Sequence, residues 1–333
     1  MKHSLKIVVL LLSMFLTTQL IGLWVINQYS PTFDENGTAT YNLPYGFSVP
    51  SETNPYSVLF SIIIALIFAI GLMLVLMKLG INGLLRGWFF IVIVIALGIT
   101  FFAFFKLWIF NSVILYIITT VLATVLAYVK IFKRNILVHN LTELLIYPGI
   151  GVIFAALFTF SDQTLANSKI FGGIYSTLGI SASAWSIITI SLLLVLISIY
   201  DMYAVWHAGF MQKMAKYQIK NLKVFSGFFI PYLGKKEMDM INSASKNSKF
   251  KARGKKIKVN VAILGGGDVV FPIILAGVVL RSMGIISALF VTLGALLGLI
   301  YLFYTSKKGK FYPAMPFISA GCFLGLAAAY IFL

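Results

Sequence analysis

Charge, and negative charge above all, is what this chain of 333 residues has least of: 11% of its residues are charged and only nine are acidic. Set against 60% hydrophobic residues and a mean hydropathy of +0.98, that scarcity excludes a soluble globular domain. At roughly 20 apolar residues per crossing the chain has room for about nine or ten helical spans and for no separate catalytic ectodomain. Cysteine is nearly absent too. The one thiol, Cys322, sits in an apolar run, which rules out an intrachain disulfide or a thiolate metal cluster. The three histidines, His3, His139 and His207, are scattered, so neither a metal nor any other cofactor is expected. The formal net charge of +17 would suggest nucleic acid in a soluble protein, but in a membrane protein what matters is where the basic residues fall. No nucleic-acid partner is expected.

Apolar runs bounded by charged or turn residues predict an all-α, multi-pass membrane protein with nine transmembrane helices, at about 7–26, 57–77, 88–105, 107–129, 140–160, 185–206, 259–280, 284–304 and 311–333. The third and fourth share a stretch interrupted only by Lys106. As one helix it would be about 63 Å long, twice a hydrocarbon core, so a tight hairpin is expected between Phe105 and Asn111. With the N-terminus inside, 23 of the 26 Lys and Arg residues fall on the inner face, thirteen of them between His207 and Lys258. Only Lys106, Lys169 and Arg281 stay outside, with Asp34, Glu35, Glu52 and Asp162. This bias predicts a cytoplasmic N-terminus and an external C-terminus, in the cell membrane if the source is prokaryotic. The first apolar segment reads as a retained anchor, since no small-x-small cleavage site closes it.

Three parts follow: residues 1–206 with six helices, a basic cytoplasmic loop at 207–258, and residues 259–333 with three helices. The outer loop 27–56, with Pro31, Pro44, Pro50 and Pro55, is expected to be irregular. In the basic loop, Lys213, Lys216, Lys220 and Lys223 share a helical face opposite Met211, Met214, Leu222 and Phe225, a pattern suited to anionic lipid. A plain basic tether that only fixes topology explains the same residues. Asn242 to Lys256 is polar, rich in Ser and Lys, and expected to be disordered.

An ionisable side chain inside a bilayer costs about 2.5–3.5 kcal/mol at a helix centre, so those retained there invite a functional reading. Only two of the acids lie clearly within predicted spans: Asp201, after Tyr200, and Asp268, after Gly265, Gly266 and Gly267. Glu143 is expected at the inner edge of the fifth span, snorkelling to the interface. The two aspartates stand on antiparallel helices joined on the inner side, roughly 8 and 13 Å from that boundary by helical rise, so they are able to face each other. Two carboxyls close together in low dielectric share one proton, which makes one a base and the other an acid. Such a pair activates water against a peptide carbonyl with no metal or nucleophilic side chain. The glycines before Asp268 let another backbone approach closely, or merely pack helix on helix. Pro313 and Pro316, flanking Ala314 and Met315, keep the entry to the last span extended and leave backbone groups available.

In this order and spacing, Tyr200-Asp201, Gly265-Gly266-Gly267-Asp268 and Pro313-Ala314-Met315 resemble the YD, GxGD and PAL motifs of the presenilin and signal peptide peptidase family, as a prokaryotic or archaeal homologue would carry them. The resemblance spans the last five helices by spacing and the whole chain by topology. It implies an intramembrane aspartyl protease with Asp201 and Asp268 as the catalytic pair, Tyr200, the three glycines and Pro313 to Pro316 shaping the site, and transmembrane-helix proteins as substrates. Met315 stands where the family usually has leucine, a change of similar volume. Obligatory protein partners are not legible in the chain. Two alternatives stay open on the residues alone. A proton- or cation-coupled transporter would also use paired intramembrane carboxylates, though no internal repeat is detectable. A prepilin-type peptidase would share the GxGD element and leave the prolines unexplained.

Overall fold

The computed structural model describes residues 5–33, 39–40, 43–47, 54–133, 135–166, 168, 172–208, 217–218, 226–232, 260–306 and 312–332. Among them, nine helices are long and apolar enough to cross a membrane. In chain order these are α1 (Leu5–Gln28), α2 (Pro55–Leu79), α3 (Asn82–Phe105), α4 (Ser112–Tyr128, extended by a π turn to Lys133), α5 (Ile136–Leu157), α8 (Ala182–Tyr203, extended by a π turn Ala204–Ala208), α9 (Gly266–Met283), α10 (Ile285–Thr305) and α11 (Met315–Phe332). Two short helices, α6 (Asp162–Ala166) and α7 (Gly172–Leu178), lie between α5 and α8.

The hairpin expected near Phe105 is present, and the sequence explains it. α3 ends at Phe105 with Lys106 as its C-cap, and Asn111 restarts the chain by accepting from the Val113 and Ile114 N–H groups. An Asn at this position satisfies donors that the first helical turn cannot pair internally. The outer loop is less irregular than its prolines suggest. Thr32–Phe33 (β1) pairs antiparallel with Ala39–Thr40 (β2), and Pro44–Gly46 forms a 3₁₀ turn. That turn drives Tyr45 into the groove between α3 and α4, where its hydroxyl lies 3.2 Å from Thr119 Oγ1.

α9 is the central post, packed by α1, α5, α8 and α10 and buried without a break from Pro272 to Leu280. α2 is the opposite case: only Pro55, Val58 and Leu76 are buried along its 25 residues, so it hangs on the rim of the bundle. The tightest helix pair is α10 with α11. A methyl group added at Gly294 would sit 2.1 Å from the Gly321 carbonyl oxygen, and one at Gly321 would sit 2.2 Å from that of Gly294. Backbones this close exploit dispersion contacts that side chains would prevent, which is how apolar helices associate without a hydrophobic drive between them. Gly294→Val is therefore expected to part the two helices and cost about 1–3 kcal/mol, the usual penalty of overpacking. Thermal unfolding in detergent measures it.

One predicted boundary is wrong. The seventh span does not begin near residue 259: Asn260–Gly265 is a β-strand (β4), and the helix starts only at Gly266. The partner of β4 is Gly227–Tyr232 (β3), within the loop read as a basic tether, paired antiparallel from Gly227↔Gly265 to Tyr232↔Asn260. The sequence signal was alternation: Val261 and Ile263 are exposed, whereas Ala262 and Leu264 are buried. Of the proposed lipid-facing helix only Tyr217 and Gln218 are described. Its lysines and apolar residues, and the polar run Asn242 to Lys256, lie outside the described residues.

Candidate active site

Both aspartates sit where a helix N-terminus supplies unpaired backbone donors. α9 opens with Gly265 as N-cap, so Asp268 occupies its third position, with its carboxylate turned back toward Gly265. Asp268 is thus in the first helical turn, not nine helical residues deep as the apolar run suggested. The six residues before Gly266 are extended. Asp201 lies near the end of α8, 8% exposed, and its Oδ2 accepts the Met315 N–H at 3.1 Å. The carboxylate therefore caps α11 from outside the helix, a favourable place for negative charge.

This arrangement explains the two prolines. Pro316 falls in the first turn of α11, where an N–H is not needed, and Pro313 ends the incoming chain. Ala314 and Met315 between them keep their N–H groups, and Met315 turns its own to Asp201. One turn further along each helix, Ser198 Oγ donates to Ser319 Oγ at 3.0 Å, a second polar rung between α8 and α11. Asp268 is partly exposed and lies within range of the Asp201 charge.

The three glycines play different parts. Gly266 donates its N–H to the Ser226 carbonyl at 3.2 Å, and a methyl group there would meet Ser226 Oγ at 2.5 Å and the Tyr147 hydroxyl at 2.8 Å. Gly267 is exposed, and an added methyl would meet only Phe271, at 3.7 Å. Gly267→Ala is accordingly expected to leave the unfolding temperature unchanged and Gly266→Ala to lower it, a contrast that one pair of thermal melts checks.

Of the sequence-predicted residues, the structure brings Asp201, Asp268, Gly265, Ala314 and Met315 into one region at the end of the bundle where Trp206 and Asn260 lie. Tyr200 faces elsewhere. It lines a cavity of about 190 Å³ between α2 and α8, with Ile62, Leu66, Leu193 and Ile197. Pro316 lines the groove between α10 and α11.

Several contributors were not foreseen. Gln19, fully buried in α1, donates from Nε2 to the Val269 carbonyl at 2.9 Å, in the turn of α9 that Pro272 loosens. Glu143 does not snorkel. It is completely buried, with Oε1 2.5 Å from Lys130 Nζ and 3.6 Å from His139 Nε2. Snorkelling was expected because Glu143 lies near a span end, but the π turn of α4 carries Lys130 in to meet it. The signal available was a Lys at one span end and a Glu a turn into the next.

A bundle of membrane-spanning helices that sets two aspartates at adjoining helix N-termini has the build of a multi-pass aspartyl protease. The family model described as signal-peptide peptidase, presenilin aspartyl protease matches residues 162–333, more than half of the chain, and the chain belongs to that family. Two solved structures of a presenilin family intramembrane aspartate protease are similar to it at 17% identity. One, in space group C222, covers 98% of this chain and 99% of its own at a TM-score of 0.57. The other, in P2, covers 97% of each at 0.56. That likeness establishes the shared fold. Comparison with curated proteins gives no match.

Proposed function

We propose that the protein hydrolyses peptide bonds within transmembrane helices, as an aspartic endopeptidase of the GxGD type with Asp201 and Asp268 as its catalytic pair. The observation that carries this reading is the convergence of the two carboxylates at the N-termini of α9 and α11, with a β-hairpin running directly into Asp268. One carboxylate, ionised, takes a proton from water as it attacks the scissile carbonyl, while the other, protonated, hydrogen-bonds the carbonyl oxygen. The exposure of Gly267 and the partial exposure of Asp268 support access by water.

A transmembrane helix hides its carbonyls in its own hydrogen bonds, so the substrate must unwind before it is cut. The β3–β4 hairpin offers a destination. Phe229 directs both its backbone groups away from β4, so in this antiparallel register its neighbour Ile263, with Val261, directs its own away from β3. No other described strand pairs with that edge. An unwound segment added there by β-augmentation would run past Asp268. The thin packing of α2 and the cavity between α2 and α8 support entry from that side. Substrates with an external N-terminus, and anionic lipid at the basic loop, complete the reading.

The test uses purified protein in liposomes and a labelled single-span substrate made in two versions, one with a Gly-Pro break in its apolar core and one an unbroken Leu-Ala helix. Cleavage at least about tenfold faster for the broken helix is expected, since each residue need not first be unwound. Equal rates would contradict the unwinding step. Solute uptake lost with either aspartate, and no cleavage, would remove the protease reading altogether.

A further inference from the structure

The outer edge of β3 ought to be a liability. It faces the start of α5 in a part-buried position, where unpaired N–H and C=O groups are costly. One side chain fills that role. Asn140 Nδ2 donates to the Phe229 carbonyl at 2.8 Å, while Asn140 Oδ1 accepts the Phe229 N–H at 2.9 Å. A carboxamide presents a donor and an acceptor side by side as a peptide does, and does so at any pH. Beside it, His139 Nε2 lies 2.8 Å from the Gly227 carbonyl oxygen, the next outward-facing group along β3. His139 in turn lies against Glu143, which is held by Lys130. Two consecutive residues of α5 thus meet the backbone of β3, and an ion pair braces them from behind.

Fixing β3 fixes more than β3. β4 takes its register from it, the Ser226 carbonyl holds the Gly266 N–H, and Asp268 follows two residues later. Resting on the proteolytic reading above, we infer that Asn140 is a positioning residue for the reaction: acting as a surrogate strand on the closed edge of β3, it sets the height and register of the hairpin. It thereby sets which bond of a strand added to the open edge of β4 meets Asp268. Asn140 touches neither aspartate. Its effect passes through the sheet, where a slip of two residues keeps every side chain on its face while moving the scissile bond.

The experiment compares wild type, Asn140→Leu and Asn140→Asp as full-length purified protein in liposomes. Asn140→Leu removes both hydrogen bonds. It is expected to lower kcat/KM by on the order of ten- to a hundredfold, to spread the cuts, read by mass spectrometry, over bonds two residues apart, and to speed hydrogen exchange in 227–232 and 260–265 while the rest of the bundle exchanges as before. Asn140→Asp can accept from Phe229 at any pH but donate only when protonated, so its activity relative to wild type should rise as pH falls. The ionisable groups beside it are His139, Glu143 and Tyr147 on α5 and Lys130 on the π turn that extends α4. All are common to both proteins, so a pH dependence of that ratio traces to the carboxyl at 140 and its coupling to them. Wild-type cut positions and wild-type exchange in Asn140→Leu would overturn the inference, as would a ratio for Asn140→Asp that does not vary with pH. Should wild type cleave no substrate, the proteolytic reading fails by itself, and the exchange measurement still decides whether Asn140 holds the hairpin.

Discussion

Asp201→Ala and Asp268→Ala are each expected to abolish detectable cleavage of a transmembrane substrate, a loss of about 10²–10⁴-fold, which is what a positioned acid or base contributes. The reason is geometric as well as chemical. The aspartates stand on two different helices, and removing either leaves a single carboxyl where the reaction needs both an acid and a base. Asparagine keeps the shape of the side chain and its acceptor oxygen but moves no proton, so Asp201→Asn and Asp268→Asn should be as inactive as the alanine variants while melting closer to wild type. Because the two groups act as a unit, the double variant should be no slower than either single one. Activity of the wild type should follow a bell-shaped pH profile, as expected of two groups that divide one proton. Initial rates in liposomes across a pH series check all three statements.

The second large effect concerns stability. Lys130 and Glu143 form an ion pair with side chains 3% and 0% exposed, and Glu143 Oε2 has no hydrogen-bond partner among the described residues. Removing one member leaves the other charged in a place where it cannot be hydrated, which typically costs about 3–5 kcal/mol. Lys130→Met should therefore destabilise the protein strongly. Lys130→Met combined with Glu143→Leu should recover most of the loss, since an apolar pair of similar volume leaves no orphaned charge. Chemical unfolding in detergent distinguishes the two. A double variant as unstable as the single one would mean that Glu143 acts through Tyr147 and His139 more than through Lys130.

What the sequence disclosed and what it concealed divide along physical lines. Helices that cross a bilayer announce themselves through hydropathy, and the hairpin between α3 and α4 followed from a length limit. Asp201 and Asp268 stood out because acids are scarce in apolar runs, and the Pro-Ala-Met-Pro entry because proline constrains its neighbours. The β-hairpin was hidden because β4 is apolar and continuous with α9, so hydropathy joined them into one span. Only the alternation of Val261, Ala262, Ile263 and Leu264 marked the strand. Asn140, Gln19 and the Lys130–Glu143 pair were hidden for another reason. A polar residue within or near an apolar run says that it needs a partner, but not which other helix or strand supplies one.

The measurement that bears most directly on the paired-aspartate account is mass spectrometry of a single-span substrate incubated with purified wild type, Asp201→Ala or Asp268→Ala protein in ¹⁸O-labelled water. The account predicts complementary fragments cut within the apolar segment, with one label in the new carboxylate for wild type and intact substrate for both variants. Labelled fragments of the same length from either variant would contradict it.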